Sequence, residues 1–356
     1  MAFYEADEQD NHMALLFMEG FEAHGGSQTV LDRKYADTFG WGSLQTGRLQ
    51  GSAGTIANAF FARTRSFGAA TSTCIIGFGY QDATTGASSG NIEINIINGA
   101  DDQLRLLIIS VSTTTFRIDL MRGATVIAAS ADYSTLNWHY FELKAVIDPT
   151  AGTYELRRNE TVVFSGTGTN TADSASANWD AVHFANAVEG TITGNPRMDD
   201  IYILDGTGTI NNDFLGDSVI EGRLPTGDSV VASMLDWTPS TGSTHWDLLD
   251  DTSDTTLVSS GTAGDVDLLT FDSLSFITGT VHGVMTVVQA GLDSVGTRTI
   301  RNIARSNAVN YNGASQVVET TDSASFYEIW ETDPDTAVKW TISGVNAAEF
   351  GFELVT

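Results

Sequence analysis

The chain has 356 residues and a formal charge of −28, from 17 basic and 45 acidic side chains. That imbalance argues against a phosphate backbone or an anionic membrane surface as partner. Hydrophobic residues make up 42% of the chain, enough for substantial cores, and a lone cysteine, Cys74, excludes an intrachain disulfide.

In chain order, the opening "MAFYEADEQDNH" is acidic and lacks a basic segment followed by an apolar one. It predicts no secretory signal, and residues 1–12 read as an arm. No apolar run reaches the ~20 residues that span a bilayer, so no membrane insertion is expected. From residue 14 onward, helical periodicity is nearly absent. Short runs alternate or are wholly apolar, and turn residues punctuate them: "ALLFMEGF" (14–21), "STCIIGFGY" (72–80), "NIEINIIN" (91–98), "QLRLLIISV" (103–111) and "FRIDLMRG" (116–123). Such spacing predicts an all-β sandwich. Between the first two runs, "FGWG" (39–42) reads as a glycine-flanked loop, which makes Trp41 a candidate exposed ring for stacking on a sugar.

The stretch "NIEINIIN" has the rhythm of the catalytic strand E-I-D-I-x-E of retaining β-glucanases. Here Glu93, Asn95 and Asn98 occupy its three acidic positions. A retaining hydrolase needs two carboxyl groups about 5–5.5 Å apart. Two of the three positions are amides, so no catalytic residue is expected and the chain is read as a non-enzyme.

The segment 137–166 gives the clearest local prediction, a three-stranded antiparallel meander. Phe141, Leu143, Ala145 and Ile147 share one face, and "DPTAG" (148–152) makes the first turn. Further on, "SANWDAVHF" supplies Trp179 as the second candidate stacking ring. "RMDDIYILDG" (197–206) is a strand ending in Asp-Gly. The polar stretch 207–221 reads as a linker, and residues 222–356 as a second run of strands forming a second β-sandwich. The six histidines are scattered, and no zinc spacing, P-loop or nucleophile elbow is present.

Three stretches resemble the laminin-G-like, concanavalin A-like jelly roll: "LLFMEGFE" (15–22), the W-x-x-F-E-L-K…G-T-Y-E-L-R-x-N meander from Trp138 to Asn159, and "MDDIYILD" (198–205). The resemblance implies that residues 13–206 form such a domain, with its first and last strands side by side. Glu19 or Glu22 would then lie near Asp199 or Asp200, and these four carboxylates are the candidate ligands of a structural Ca²⁺. No other cofactor is expected.

The stretches 245–274 and 330–354 resemble a module that accompanies such jelly rolls in structural proteins of tailed bacteriophages. This resemblance implies a virion component assembled in the host cytoplasm, with other virion proteins as partners and a homo-oligomer, expected to be a trimer. A place at the tail tip or fibre, with contact to a host surface glycan, is the leading expectation. Decoration of the head is the alternative, and a polysaccharide-degrading enzyme the third.

Overall fold

The computed structural model describes residues 14–24, 28–49, 51–68, 71–82, 91–174, 176–186, 196–250 and 255–356. The expected arm, residues 1–12, lies outside them. The first fourteen strands are β1 (Leu15–Glu19), β2 (Asp37–Thr46), β3 (Ser52–Arg63), β4 (Thr73–Asp82), β5 (Asn91–Asn98), β6 (Asp101–Ser110), β7 (Thr115–Arg122), β8 (Thr125–Ala129), β9 (Tyr133–Ser134), β10 (His139–Val146), β11 (Gly152–Arg158), β12 (Thr161–Thr169), β13 (Ala181–Asn186) and β14 (Pro196–Leu204). A short helix α1 (Gln28–Asp32) lies between β1 and β2.

These strands form one continuous ladder in the order β12-β11-β10-β4-β14-β3-β13-β5-β6-β7-β8. Strand β1 pairs with β14, β2 with β3, and β9 with β7. The ladder doubles over on itself at β3. That strand pairs with β14 around Gly54–Thr55 and with β13 around Phe61–Arg63, so it belongs to both layers of a jelly-roll sandwich. Between the layers lies one apolar core. Ile76, Phe78, Phe141, Leu143 and Ile203 come from one sheet, and Ile92, Ile94, Leu106, Ile118 and Phe184 from the other.

The predicted meander is present as β10, β11 and β12, paired antiparallel. Its first turn closes on Asp148, whose Oδ1 accepts from the backbone N–H groups of Thr150 and Ala151, both at 2.7 Å. The second turn places Asn159 and Glu160 at φ 47° and 64°. Paired positive φ values of this kind give the tight twist that suits a two-residue hairpin.

The remaining strands are β15 (Pro225–Asp228), β16 (Thr238–Pro239), β17 (Val258–Ser259), β18 (Val266–Phe271), β19 (Val284–Ala290), β20 (Arg298–Ser306), β21 (Val309–Asn312), β22 (Gln316–Val318), β23 (Ala324–Trp330) and β24 (Glu349–Leu354), with a short helix α2 (Ile342–Ala347). One sheet runs β15-β18-β24-β20-β21 with β22 on β20, and β19 and β23 pair separately. Apolar side chains fill the space between them, including Ile300, Val318, Phe326 and Leu354 in one cluster and Ala304, Trp340 and Phe350 in another.

The outer face of the first sheet is covered. Leu15, Ile75, Tyr140, Tyr202 and Leu204 form a second core with Ile329, against which Met285 and Tyr327 also pack. The stretch 207–221, expected as a linker, has no helix or strand but is bound to the jelly roll. Phe214 and Leu215 join this second core, Gly216 N–H donates to Glu142 Oε1 at 2.8 Å, and Lys144 pairs with Asp213 at 3.0 Å. A polar surface segment becomes structural because the face it crosses is apolar and must be covered.

Candidate functional site

The second sheet of the jelly roll, β13-β5-β6-β7, points one set of side chains into the core and the alternate set outward. Two cross-strand rows follow from the register. One runs from Arg63 on β3 through His183, Asn95 and Arg105 to Met121 on β7. The other runs Ala185, Glu93, Leu107, Asp119. Neighbouring members of a row stand one strand spacing apart, about 4.7–4.9 Å. A face otherwise free to be apolar or uniformly charged therefore carries an ordered set of hydrogen-bonding groups.

Ion pairs fix most of these groups. Arg105 Nη1 donates to Glu93 Oε1 at 2.9 Å, and its Nη2 donates to the carbonyl of Gly123 at 3.0 Å. Arg117 grips Asp119 with Nε and Nη2 at 3.0 and 3.2 Å. Arg63 Nη2 donates to the Gly99 carbonyl at 2.8 Å. In the middle, Asn95 is 3% exposed. Its Nδ2 approaches Glu93 Oε2 at 3.5 Å, whereas its Oδ1 is buried without a hydrogen-bond partner. A buried acceptor left unpaired costs about 1–3 kcal/mol.

This face contains the glucanase-like frame. Glu93 is its one carboxylate, with Asn95 beside it. The β5 ladder shifts register between Ile96 and Ile97, and Asn98 turns to Ser176 Oγ at 2.7 Å. Asp119 is a second carboxylate on the same face, but Leu107 of the intervening strand stands between it and Glu93. The close pair that a retaining hydrolase requires is not assembled from these two. Sequence reading missed Arg63, His183, Arg105, Arg117 and Asp119 as a group. The available signal was a polar or charged residue at outward positions of several separate strands, which becomes a site only when the strands are set in register.

Neither candidate stacking ring is exposed. Trp41 is 3% and Trp179 1% exposed. "FGWG" is part of β2 rather than a loop, and the β2–β3 ladder shifts register on either side of Trp41. The indole packs edge-on against Phe21 with ring centres 4.9 Å apart. Trp179 packs against Phe67 at 5.8 Å and donates its indole N–H to the Thr73 carbonyl at 2.7 Å. Both rings are core, which corrects the expectation that they stack on a sugar.

The first and last strands do lie side by side, with Glu19 opposite Ile201. The four candidate calcium ligands nevertheless divide into two groups. Glu19 is buried with His24 Nε2 at 3.0 Å and Lys34 Nζ at 2.9 Å. Burial pushes its carboxyl up, but the charges of His24 and Lys34 outweigh that and hold it well below the usual carboxylate range.

Asp199 and Asp200 gather instead around Arg48, with Glu22 near enough for the carboxylates to influence one another. Asp199 Oδ2 accepts from Arg48 N–H at 2.7 Å, and Asp200 Oδ2 from Arg48 Nε at 2.8 Å. Asp200 Oδ1 accepts from Ile220 N–H at 2.7 Å, and Glu22 accepts from Ser52 and Gly222 N–H at 3.3 Å each. Burial, with the Asp200 charge adding to it, pushes Glu22 up to about 8 and Asp199 to about 9. Among the described residues no group of three or more His, Cys, Asp or Glu side chains is arranged to hold a metal ion. The carboxylate oxygens here are spent on a guanidinium and on backbone N–H groups, so the set does not fit a Ca²⁺ cage, which needs six to eight converging oxygens.

No known family matches the sequence, and no curated protein matches it. Solved structures with a similar course of chain exist. Alginate lyase Aly36B is 10% identical, with a TM-score of 0.37 over 55% of this chain and 93% of that one. A carbohydrate esterase of the Shiga toxin-encoding bacteriophage phi24B is 9% identical, with a TM-score of 0.39 over 53% of this chain and 97% of that one. The legume lectin-like domain from Entamoeba histolytica is 7% identical, with a TM-score of 0.35 over 50% of this chain and 93% of that one. At such identities the likeness concerns the fold and assigns no chemistry.

Proposed function

We propose that the chain is a non-enzymatic structural component of a tailed-bacteriophage virion, placed at the tail tip or fibre, that contacts a glycan through the outer face of β13-β5-β6-β7. The observation that carries the glycan reading is the buried, unpartnered Oδ1 of Asn95 on a face where Glu93 and Asp119 are each held by an arginine. A rigid set of hydrogen-bonding groups loses little entropy when a sugar docks. Leu107, half-buried in the second row, offers apolar surface to the C–H side of a sugar ring.

The virion reading is supported by the phage-like stretches 245–274 and 330–354 and by the two β-rich halves packed on one another. In that setting the chain would work as a homo-oligomer among other virion proteins, with sandwiches presenting their faces at fixed positions. The non-enzymatic reading is supported by Glu93 and Asp119 each being engaged by an arginine and separated by a strand.

Two measurements test this. On a glycan array the intact chain should bind at least one glycan, and an Arg105→Ala variant of unchanged circular dichroism should lose it. Gold-labelled antibody against the chain should mark the tail tip of intact virions. Label on the head would replace the tail placement with head decoration, and hydrolysis of a bound glycan that depends on Glu93 would end the non-enzymatic reading.

A further inference from the structure

Four polar groups from segments far apart in sequence meet where the two β-rich halves join: Asn211, His282, Glu331 and Lys339. Lysine is scarce in this acidic chain, and Lys34 and Lys144 each pair with a carboxylate. Lys339 instead meets a carboxamide and an imidazole. Its Nζ donates to Asn211 Oδ1 at 3.1 Å and lies 3.4 Å from His282 Nδ1.

The other neighbours of Asn211 fix the orientation of its amide. Nδ2 donates to the His282 carbonyl at 2.6 Å and to Glu331 Oε1 at 3.0 Å. A backbone carbonyl only accepts, so the amide nitrogen faces it and the amide oxygen faces Lys339. An amine therefore lies against the Asn211 carbonyl, and a carboxyl group touches the nitrogen on its far side. Asn211 and Glu331 are both buried. Burial pushes the Glu331 carboxyl up, offset only in part by the hydrogen bonds from Asn211, Leu15 and Ala14, so it is able to hold a proton. Burial, and then the Lys339 charge, push the His282 imidazole down to about 4, which keeps the ring neutral with a lone pair on one nitrogen.

We infer that Lys339 and Asn211 join in an isopeptide bond that the chain makes by itself, with His282 and Glu331 moving the protons. Lys339 Nζ attacks Asn211 Cγ as an amine, and a new C–N bond forms. His282 Nδ1 takes a proton from the attacking nitrogen. Lying 3.2 Å from Asn211 Oδ1, it then donates to that oxygen as negative charge develops there. Glu331 gives a proton to Nδ2, the Cγ–Nδ2 bond breaks and ammonia leaves. The proton on His282 returns through solvent to Glu331. One amine and one primary amide give one secondary amide and ammonia, with no other reactant. Holding the amine against the amide replaces the encounter that makes this reaction slow between free molecules. The bond ties the stretch 207–221 covalently to the second half, beside the core that the halves share.

The full-length chain, measured denatured by mass spectrometry, should be lighter than its sequence by one ammonia. A protease digest should yield a branched peptide carrying both Asn211 and Lys339. Lys339→Arg should abolish that peptide. Glu331→Gln should slow the reaction about a hundredfold or more, so that the isolated variant is mostly uncrosslinked. The digest of unmodified protein decides the matter even where a variant fails to fold. Asn211 and Lys339 recovered in separate peptides from the folded chain would overturn the inference. So would an ammonia loss traced to a succinimide, the ring that Asn211 would form with its own backbone. An undiminished branched peptide in Glu331→Gln would overturn the role given to Glu331.

Discussion

Trp179 shows how one residue can be read two ways. In the sequence it sits in a polar stretch and resembles a stacking ring; in the fold its N–H meets the Thr73 carbonyl and its ring faces Phe67. Trp179→Ala should therefore cost about 3–5 kcal/mol of stability, as for other large aromatic truncations in cores. Urea denaturation measures this, and glycan affinity per folded molecule should be unchanged. Glu160 is a second instance. It holds φ 64° in the β11–β12 turn, where a side chain is strained and glycine is not. Glu160→Gly should raise stability by about 1 kcal/mol, read as a higher urea midpoint at constant slope.

At the scale of elements, the junction of β1, β14 and residues 217–222 depends on protonation. Arg48 links Asp200, Asp217 and the Ser218 carbonyl, and its guanidinium lies 4.7 Å from the centre of the Tyr140 ring. Folding moves Glu22 from 4.5 to about 8 and Asp199 from 3.8 to about 9, chiefly by burial. The folded chain thus keeps protons that the unfolded chain has released. Its stabilising contribution is complete below about pH 4 and is lost as pH rises through about 8 to 9. Calorimetric melting temperatures should fall across that window, and a Glu22→Gln, Asp199→Asn double variant should flatten the fall. The meander strands, by contrast, were legible from the sequence because their alternation and turn residues are local. The seam was not, since Glu22, Arg48, Asp199 and Ile220 meet only through the pairing of chain segments distant in sequence.

At the scale of the molecule, the two β-rich halves share a core and a polar clasp. Glu331 accepts from the N–H groups of Ala14 and Leu15 at 3.2 and 2.9 Å and from Asn211 Nδ2 at 3.0 Å. Arg33 donates to Gln289 Oε1 at 2.6 Å elsewhere along the same contact. Residues 14–206 expressed alone would expose Leu15, Ile75, Tyr140, Tyr202 and Leu204 together. That fragment should bind a hydrophobic dye and aggregate, whereas the full chain should melt in one cooperative transition. Two separate transitions in calorimetry, with a soluble dye-negative fragment, would show the shared core to be dispensable.

The sequence by itself determined the all-β class, the meander with its face of Phe141, Leu143, Ala145 and Ile147, and the loss of two carboxylates from the glucanase-like strand. These depend on neighbours along the chain, where period and turn chemistry act directly. Only the tertiary structure decided that Tyr140 and Glu142, on the opposite face of the same strand, are also buried, because the covering residues come from as far away as Ile329. The same holds for the polar platform. Asn95, Arg105, His183 and Asp119 are separated by many residues, and it is strand register that places them in adjacent rows on one face.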